Sequence, residues 1–250
     1  MFVKHNRCAT IILIVFSGSQ TTCNGPLSTA ADIAACGVAT TDINAIGASD
    51  ARVVASCLTY VTGSVNVDGK DTSVACTKLS ACQNNHVLSS ILFPLLTYVT
   101  GYFQVGNSGA NARNTALTAV DLSDLAFVGQ HFTFEASGKV TSLDLPALTY
   151  VGHSFNVDKN IQVTSINLPA LTFVGWFLAV YANDDLAVVS APVFTTIACL
   201  ENSCASGNYY ALNLCGNSNN LSFSAGITAA ATGQTCFIPP VYCVDTPTTC

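Results

Sequence analysis

Charge is what this chain has least of. Only 9% of its 250 residues are charged, against about 25% in an ordinary globular domain. The eight basic residues include Lys4 and Arg7 at the extreme N-terminus, and the net charge is −6. So few cations cannot build the phosphate-neutralising face that nucleic-acid binding requires, which excludes that partner class. No C-x₂-C knuckle is present; Cys199 and Cys204 stand alone with four residues between them, which speaks against a structural zinc site. No G-x-S-x-G, H-E-x-x-H or P-loop pattern occurs, so no standard nucleophile, metalloprotease or nucleotide motif is available. Half the residues are hydrophobic, a composition that excludes disorder. The length suits one domain.

The N-terminus reads as an export signal. Lys4 and Arg7 precede an apolar run from Ala9 to Phe16, and small residues follow at Ser17, Gly18 and Ser19. That order predicts a signal peptide over residues 1–19, cleaved after Ser19. The run is far shorter than the roughly 20 residues of a spanning helix, and no later segment is long enough. The closing VYCVDTPTTC lacks the hydrophobic tail of a GPI precursor. The expectation is a soluble, secreted or cell-surface chain.

Twelve cysteines fit an oxidising compartment. Export removes Cys8 and leaves eleven: Cys23, Cys36, Cys57, Cys76, Cys82, Cys199, Cys204, Cys215, Cys236, Cys243 and Cys250. An odd number leaves one free or bonded to another chain. None lies between Cys82 and Cys199. Two cysteine-rich ends flanking a cysteine-free middle predict disulfide-stapled caps.

The middle is a repeat. Leu125–Ala147, Leu148–Ala170 and Leu171–Val193 align without a gap at a period of 23 residues, and Phe194 opens another unit. Two earlier units begin at Leu58 and Leu96 and carry insertions, giving lengths of 38 and 29 residues. The insertions fall at one point of the unit, as in solenoids whose stacked strands keep register. Phe155 and Val157 are two apart, as are Ile166 and Leu168, which is strand spacing. Pro94, Pro146, Pro169 and Pro192 mark one corner, and Gly129, Gly152 and Gly175 another. Phe103, Val105, Phe132, Phe134, Phe155 and Val157 are the predicted inward side chains. No rung can bury its apolar face alone, so each depends on its neighbours.

The reading is therefore all-β: a right-handed, parallel β-helix-like stack of about five rungs over residues 58–198. Residues 20–57 form an N-terminal cap, and residues 199–250 a cysteine-rich C-terminal cap or tail. Within the first cap Ile43, Ile46, Val53 and Val54 recur at roughly helical spacing behind Thr41 or Asp42, which predicts a short capping helix.

The run from Cys57 to Val67 (CLTYVTGSVNV), followed by rungs of the form L-x-S-Φ-x-L-P-x-L-x-x-V-G, resembles the receptor L-domain family. That family is leucine-rich-repeat-like, and the rungs are most similar to its fungal, GPI-anchored cell-wall members. The likeness covers about residues 41–200. It departs from the family in having fewer charges and no GPI tail. What it implies is a non-catalytic surface or wall protein, with no catalytic residues and no cofactor.

Several columns are candidate sites. Tyr60, Tyr98, Phe127, Tyr150 and Phe173 share one position. Facing outward they would make a stacking platform for glycans, but rungs about 4.8 Å apart favour rings packed on one another. Asp121, Asp144 and Asn167 form a second column, and Glu135 and Asp158 a similar pair; repulsion between them is the only argument for a cation such as calcium. His131 and His153 occupy adjacent columns and, with His86, read as turn residues. Asn220-Leu221-Ser222 is a glycosylation sequon at Asn220.

Three functions follow. The leading one is a non-catalytic scaffold or recognition module of surface, wall or matrix, with a glycan or another surface protein as partner. A β-helical carbohydrate-active enzyme is the alternative, but it needs carboxylates and cations gathered on one face. The basic residues Arg52, Lys70, Lys78, Arg113, Lys139 and Lys159 scatter over several columns. Ice binding is suggested by Thr59, Thr97, Thr149 and Thr172 in one column and Thr118, Thr141 and Thr164 in another, interrupted at Ala126 and Ala187.

Overall fold

A computed structural model describes residues 22–23, 38–39, 42–44, 52–54, 58–67, 88–106, 114–198 and 212–232. The chain coils through three faces per rung, and every strand pairing is parallel. The first face is one eight-stranded sheet: Thr22–Cys23, Val38–Ala39, Tyr60–Val61, Tyr98–Val99, Phe127–Val128, Tyr150–Val151, Phe173–Val174 and Thr196–Ile197. The second face is a seven-stranded sheet running from Ile43–Asn44 to Leu212–Asn213, with Phe132–Glu135, Phe155–Asp158 and Leu178–Tyr181 at its centre. The third face is divided. Arg52–Val54, Ser90–Leu92 and Ala119–Asp121 form one sheet; Ser142–Asp144, Ser165–Asn167, Val188–Ser190 and Ser222–Phe223 form another.

The apolar columns found in the sequence line the interior. Leu58, Leu96, Leu125, Leu148 and Leu171 are fully buried, as are Val61, Val99, Val128, Val151 and Val174. All six predicted inward residues, from Phe103 to Val157, are fully buried. Phe103, Phe132 and Phe155 stack with centroids 5.7 and 5.0 Å apart. Corners are closed by recurring turns: Leu148 donates its N–H to the Leu145 carbonyl and Leu171 to that of Leu168. The proline in each turn sits where its fixed φ is already correct. At the other corner the backbones approach so closely that a Cβ on Gly152 would run into the carbonyl oxygen of Gly129.

The stack is longer than five rungs, passing both boundaries drawn from the sequence. Val38–Ala39, Ile43–Asn44 and Arg52–Val54 pair in register with Tyr60–Val61, Val65–Asn66 and Ser90–Leu92. At the other end Leu212–Asn213 and Ser222–Phe223 continue the second and third faces. The predicted capping helix over Thr41–Cys57 is thereby corrected. Within it Ile43–Asn44 and Arg52–Val54 are strand, and Ile43 is fully buried and pairs in register with Val65. Of the apolar residues whose spacing resembled a helix, Ile43 belongs to one strand and Val53 and Val54 to another. The one helix among the described residues is Ala225–Thr232. It lies over the end of the first face, with Ile227 and Ala230 buried and Gly226 against the Phe194 carbonyl.

One corner is held by polar side chains that the repeat alignment contains but the sequence reading did not single out. Ala136, Lys159 and Ala182 adopt left-handed φ of 51°, 57° and 55°, a conformation unfavourable for non-glycine residues. Each is followed by a buried polar residue: Ser137, Asn160 and Asn183 are all 0% exposed. Asn160 Oδ1 accepts the Ser137 N–H at 2.9 Å, Asn183 Oδ1 that of Asn160 at 3.0 Å, and Asn217 Oδ1 that of Asn183 at 3.1 Å. Their amide groups donate back to the carbonyls of Phe134, Val157 and Val180. The ladder satisfies backbone groups that a tight, buried corner would otherwise orphan.

Candidate functional site

The aromatic column is a continuous stack on the first face. Its centroids are 4.9, 4.1, 4.8 and 4.7 Å apart from Tyr60 through Tyr98, Phe127 and Tyr150 to Phe173, and no pair departs from parallel by more than 8°. The rings are half-buried. Their faces are turned to one another, so solvent meets edges; a sugar ring stacks on a face, and here the faces are occupied. The column packs ring on ring along its whole length.

Threonines flank the ladder. Thr97, Thr149, Thr172 and Thr195 donate their hydroxyls to the carbonyls of Thr59, Ala126, Thr149 and Thr172, at 2.8–3.1 Å. Thr118 and Thr164 do the same to Ser89 and Thr141 on the third face. Each of these exposed hydroxyls has its proton committed to the rung below, leaving lone pairs outward.

The acidic columns differ from each other. Asp121 and Asp144 lie on either side of the division in the third face, so the like-charge column does not run through hydrogen-bonded neighbours; Asp144 pairs in register with Asn167. Asp121 caps the Ser123 N–H, and Asp144 accepts from Ser142 Oγ. Among the described residues no group of three or more His, Cys, Asp and Glu side chains gathers to hold a metal.

Glu135 and Asp158, by contrast, are brought together at the end of the second face, with Tyr181 next in register. They are 4% and 0% exposed. Asn156 Nδ2 donates to both, at 3.1 Å to Glu135 Oε1 and 3.0 Å to Asp158 Oδ1. Lys159 Nζ lies 2.8 Å from Asp158 Oδ2. Burial, and then the neighbouring Asp158, push the Glu135 carboxyl up to about 7. The hydrogen bond to Asp158 raises the Lys159 ammonium, and burial raises the Tyr181 phenol. A buried carboxyl raised in this way is one ingredient of acid–base chemistry. Covered as they are, neither reaches a polymer outside unless the rung opens.

The histidines are closer than their columns imply. His131 and His153 have ring centroids 4.0 Å apart and Nδ1 atoms 3.1 Å apart. His131 Nδ1 is also 2.6 Å from Ser154 Oγ, and Trp176 packs its ring 4.4 Å from His153. Being one place apart in successive rungs, the two side chains meet on the diagonal.

Of the cysteines, Cys23 lies in a first-face strand, and Cys215 is buried and disulfide-bonded. Cys36, Cys57, Cys76, Cys82, Cys199, Cys204, Cys236, Cys243 and Cys250 fall outside the described residues, as do His86 and residues 1–19, where the sequence predicts a signal peptide. Asn220 is exposed in a turn. No described helix is long and apolar enough to cross a membrane. No family model matches the chain, and neither a curated protein nor a solved structure does.

Proposed function

We propose that the chain is exported and acts at the cell surface, in the wall or in the matrix as a non-catalytic scaffold or recognition module, in the manner of the receptor L-domains it resembles. The observation that supports this most is the use made of its side chains. The aromatic, threonine and asparagine columns each bind the rung above to the rung below, so most of the repeated polar and aromatic side chains serve stacking. The second and third faces are joined by long insertions in two rungs, between Val67 and Leu88 and between Gly106 and Asn114. Insertions of this kind carry recognition in repeat proteins. Disulfides in the cysteine-rich ends and a glycan at Asn220 complete the reading.

The test is expression of the full chain with its own N-terminus in a secreting eukaryotic host. Cells, wall and medium are then fractionated, and the purified chain is applied to a glycan array and to wall polysaccharides. The expected result is a chain outside the cell, trimmed after Ser19, that retains a glycan or surface protein without degrading it. Retention inside the cell, or release of reducing ends from a polysaccharide, overturns it. The latter would favour the second reading, a carbohydrate-active enzyme resting on Glu135 and Asp158.

A further inference from the structure

We propose that His131, His153 and Ser154 form a binding site for a divalent transition-metal ion, copper(II) foremost, at the corner between the first and second faces. Two imidazole nitrogens face each other there, and a serine hydroxyl lies beside one of them. His131 Nδ1 is 3.1 Å from His153 Nδ1 and 2.6 Å from Ser154 Oγ. Imidazole nitrogens bind such metals at about 2.0–2.1 Å. Two of them in neighbouring coordination positions therefore stand about 2.8–3.3 Å apart, the range running from square-planar to tetrahedral angles. The observed separation falls within it. A metal can take the place of the nitrogen–nitrogen hydrogen bond once the Ser154 hydroxyl draws back from His131 Nδ1.

The surroundings suit that exchange. Both imidazoles are half-buried, so an ion can reach them, while Ser154 is 3% exposed and held in the wall. The ring of Trp176 meets that of His153 edge to face, with centroids 4.4 Å apart. Two imidazoles and one hydroxyl leave positions for water, a nitrogen-and-oxygen set that copper(II) accepts, and copper(II) also has the highest affinity among the divalent first-row ions. Binding requires both rings to carry their proton on Nε2. The net charge of −6 favours approach of a cation.

Trp176 makes the site visible, because it is the only tryptophan in the chain. The full-length secreted protein, with any free thiol alkylated, is titrated with copper(II) chloride at pH 7.5 while tryptophan emission is followed. One equivalent should quench Trp176 to saturation. Zinc chloride should compete for the site without quenching. His131→Gln and His153→Gln should each weaken copper binding by roughly tenfold or more, with unchanged far-UV circular dichroism. Equal quenching midpoints in wild type and both variants would overturn the proposal, as would the absence of a saturable one-equivalent phase. If a variant fails to fold, the wild-type copper spectrum still decides. Paramagnetic resonance should show hyperfine coupling to two imidazole nitrogens, and oxygen-only ligation contradicts the site.

Discussion

Asn183 Oδ1 accepts the backbone N–H of Asn160 at 3.0 Å, and Asn160 Oδ1 makes the same contact to Ser137 one rung earlier. This relay passes through a fully buried corner where water cannot substitute. Asn160→Ala removes the acceptor of the Ser137 N–H and the donor to the Phe134 carbonyl. Leaving such a group unsatisfied costs about 1–3 kcal/mol. Urea denaturation should show a lowered midpoint for Asn160→Ala. Asn160→Asp keeps the acceptor but turns a buried carboxylate oxygen on the Phe134 carbonyl and Asn183 Oδ1, and should lower the midpoint at least as far.

Phe155 lies mid-stack in the core, its ring 5.0 Å from Phe132 and its backbone paired with Leu178 on the other side. Truncation leaves a cavity that neither neighbour can fill without shifting its own rung. Phe155→Ala should cost about 3–5 kcal/mol, read as a loss of denaturation midpoint. An unchanged midpoint is incompatible with the inward assignment.

These two positions differ in how legible they were. Phe155 announces itself, because an apolar residue every second position and every 23 residues has only one place to go. Asn160 follows a lysine in a left-handed conformation, and no periodicity of apolar residues marks it. Its column, Ser137, Asn160 and Asn183, is present in the alignment, but polar residues there read equally well as surface turn. The strands at Ile43 and Val53 were hidden for another reason. Short strands close in sequence place apolar residues at intervals that imitate a helix, and only pairing with Val65 and Ile91 separates the two. The His131–His153 contact crosses columns diagonally, so alignment by column keeps the two apart.

Glu135 carries the pH dependence. Its carboxyl is raised from 4.5 in the unfolded chain to about 7 by burial and by Asp158, so the folded state binds its proton more tightly. The resulting stability is fully present below pH 4.5 and is lost as pH rises to about 7, beyond which the loss is constant. The slope in that window is at most about 1.4 kcal/mol per pH unit. Thermal melts from pH 4 to 8 should show wild type losing more stability across the window than Glu135→Gln, which cannot ionise. Parallel curves for the two proteins would place the titration elsewhere.

If the side chains of this solenoid serve stacking, the aromatic column is where that role and a binding role diverge most, and Tyr150 is the residue to remove. It stacks on Phe127 at 4.8 Å and on Phe173 at 4.7 Å, and each such pair is worth about 0.5–1.5 kcal/mol beyond its buried area. The denaturant midpoint of Tyr150→Ala, measured beside wild type, should drop by the equivalent of about 1–3 kcal/mol from the two lost pairs. An unchanged midpoint would contradict the packing ladder and make the column a surface kept for a ligand.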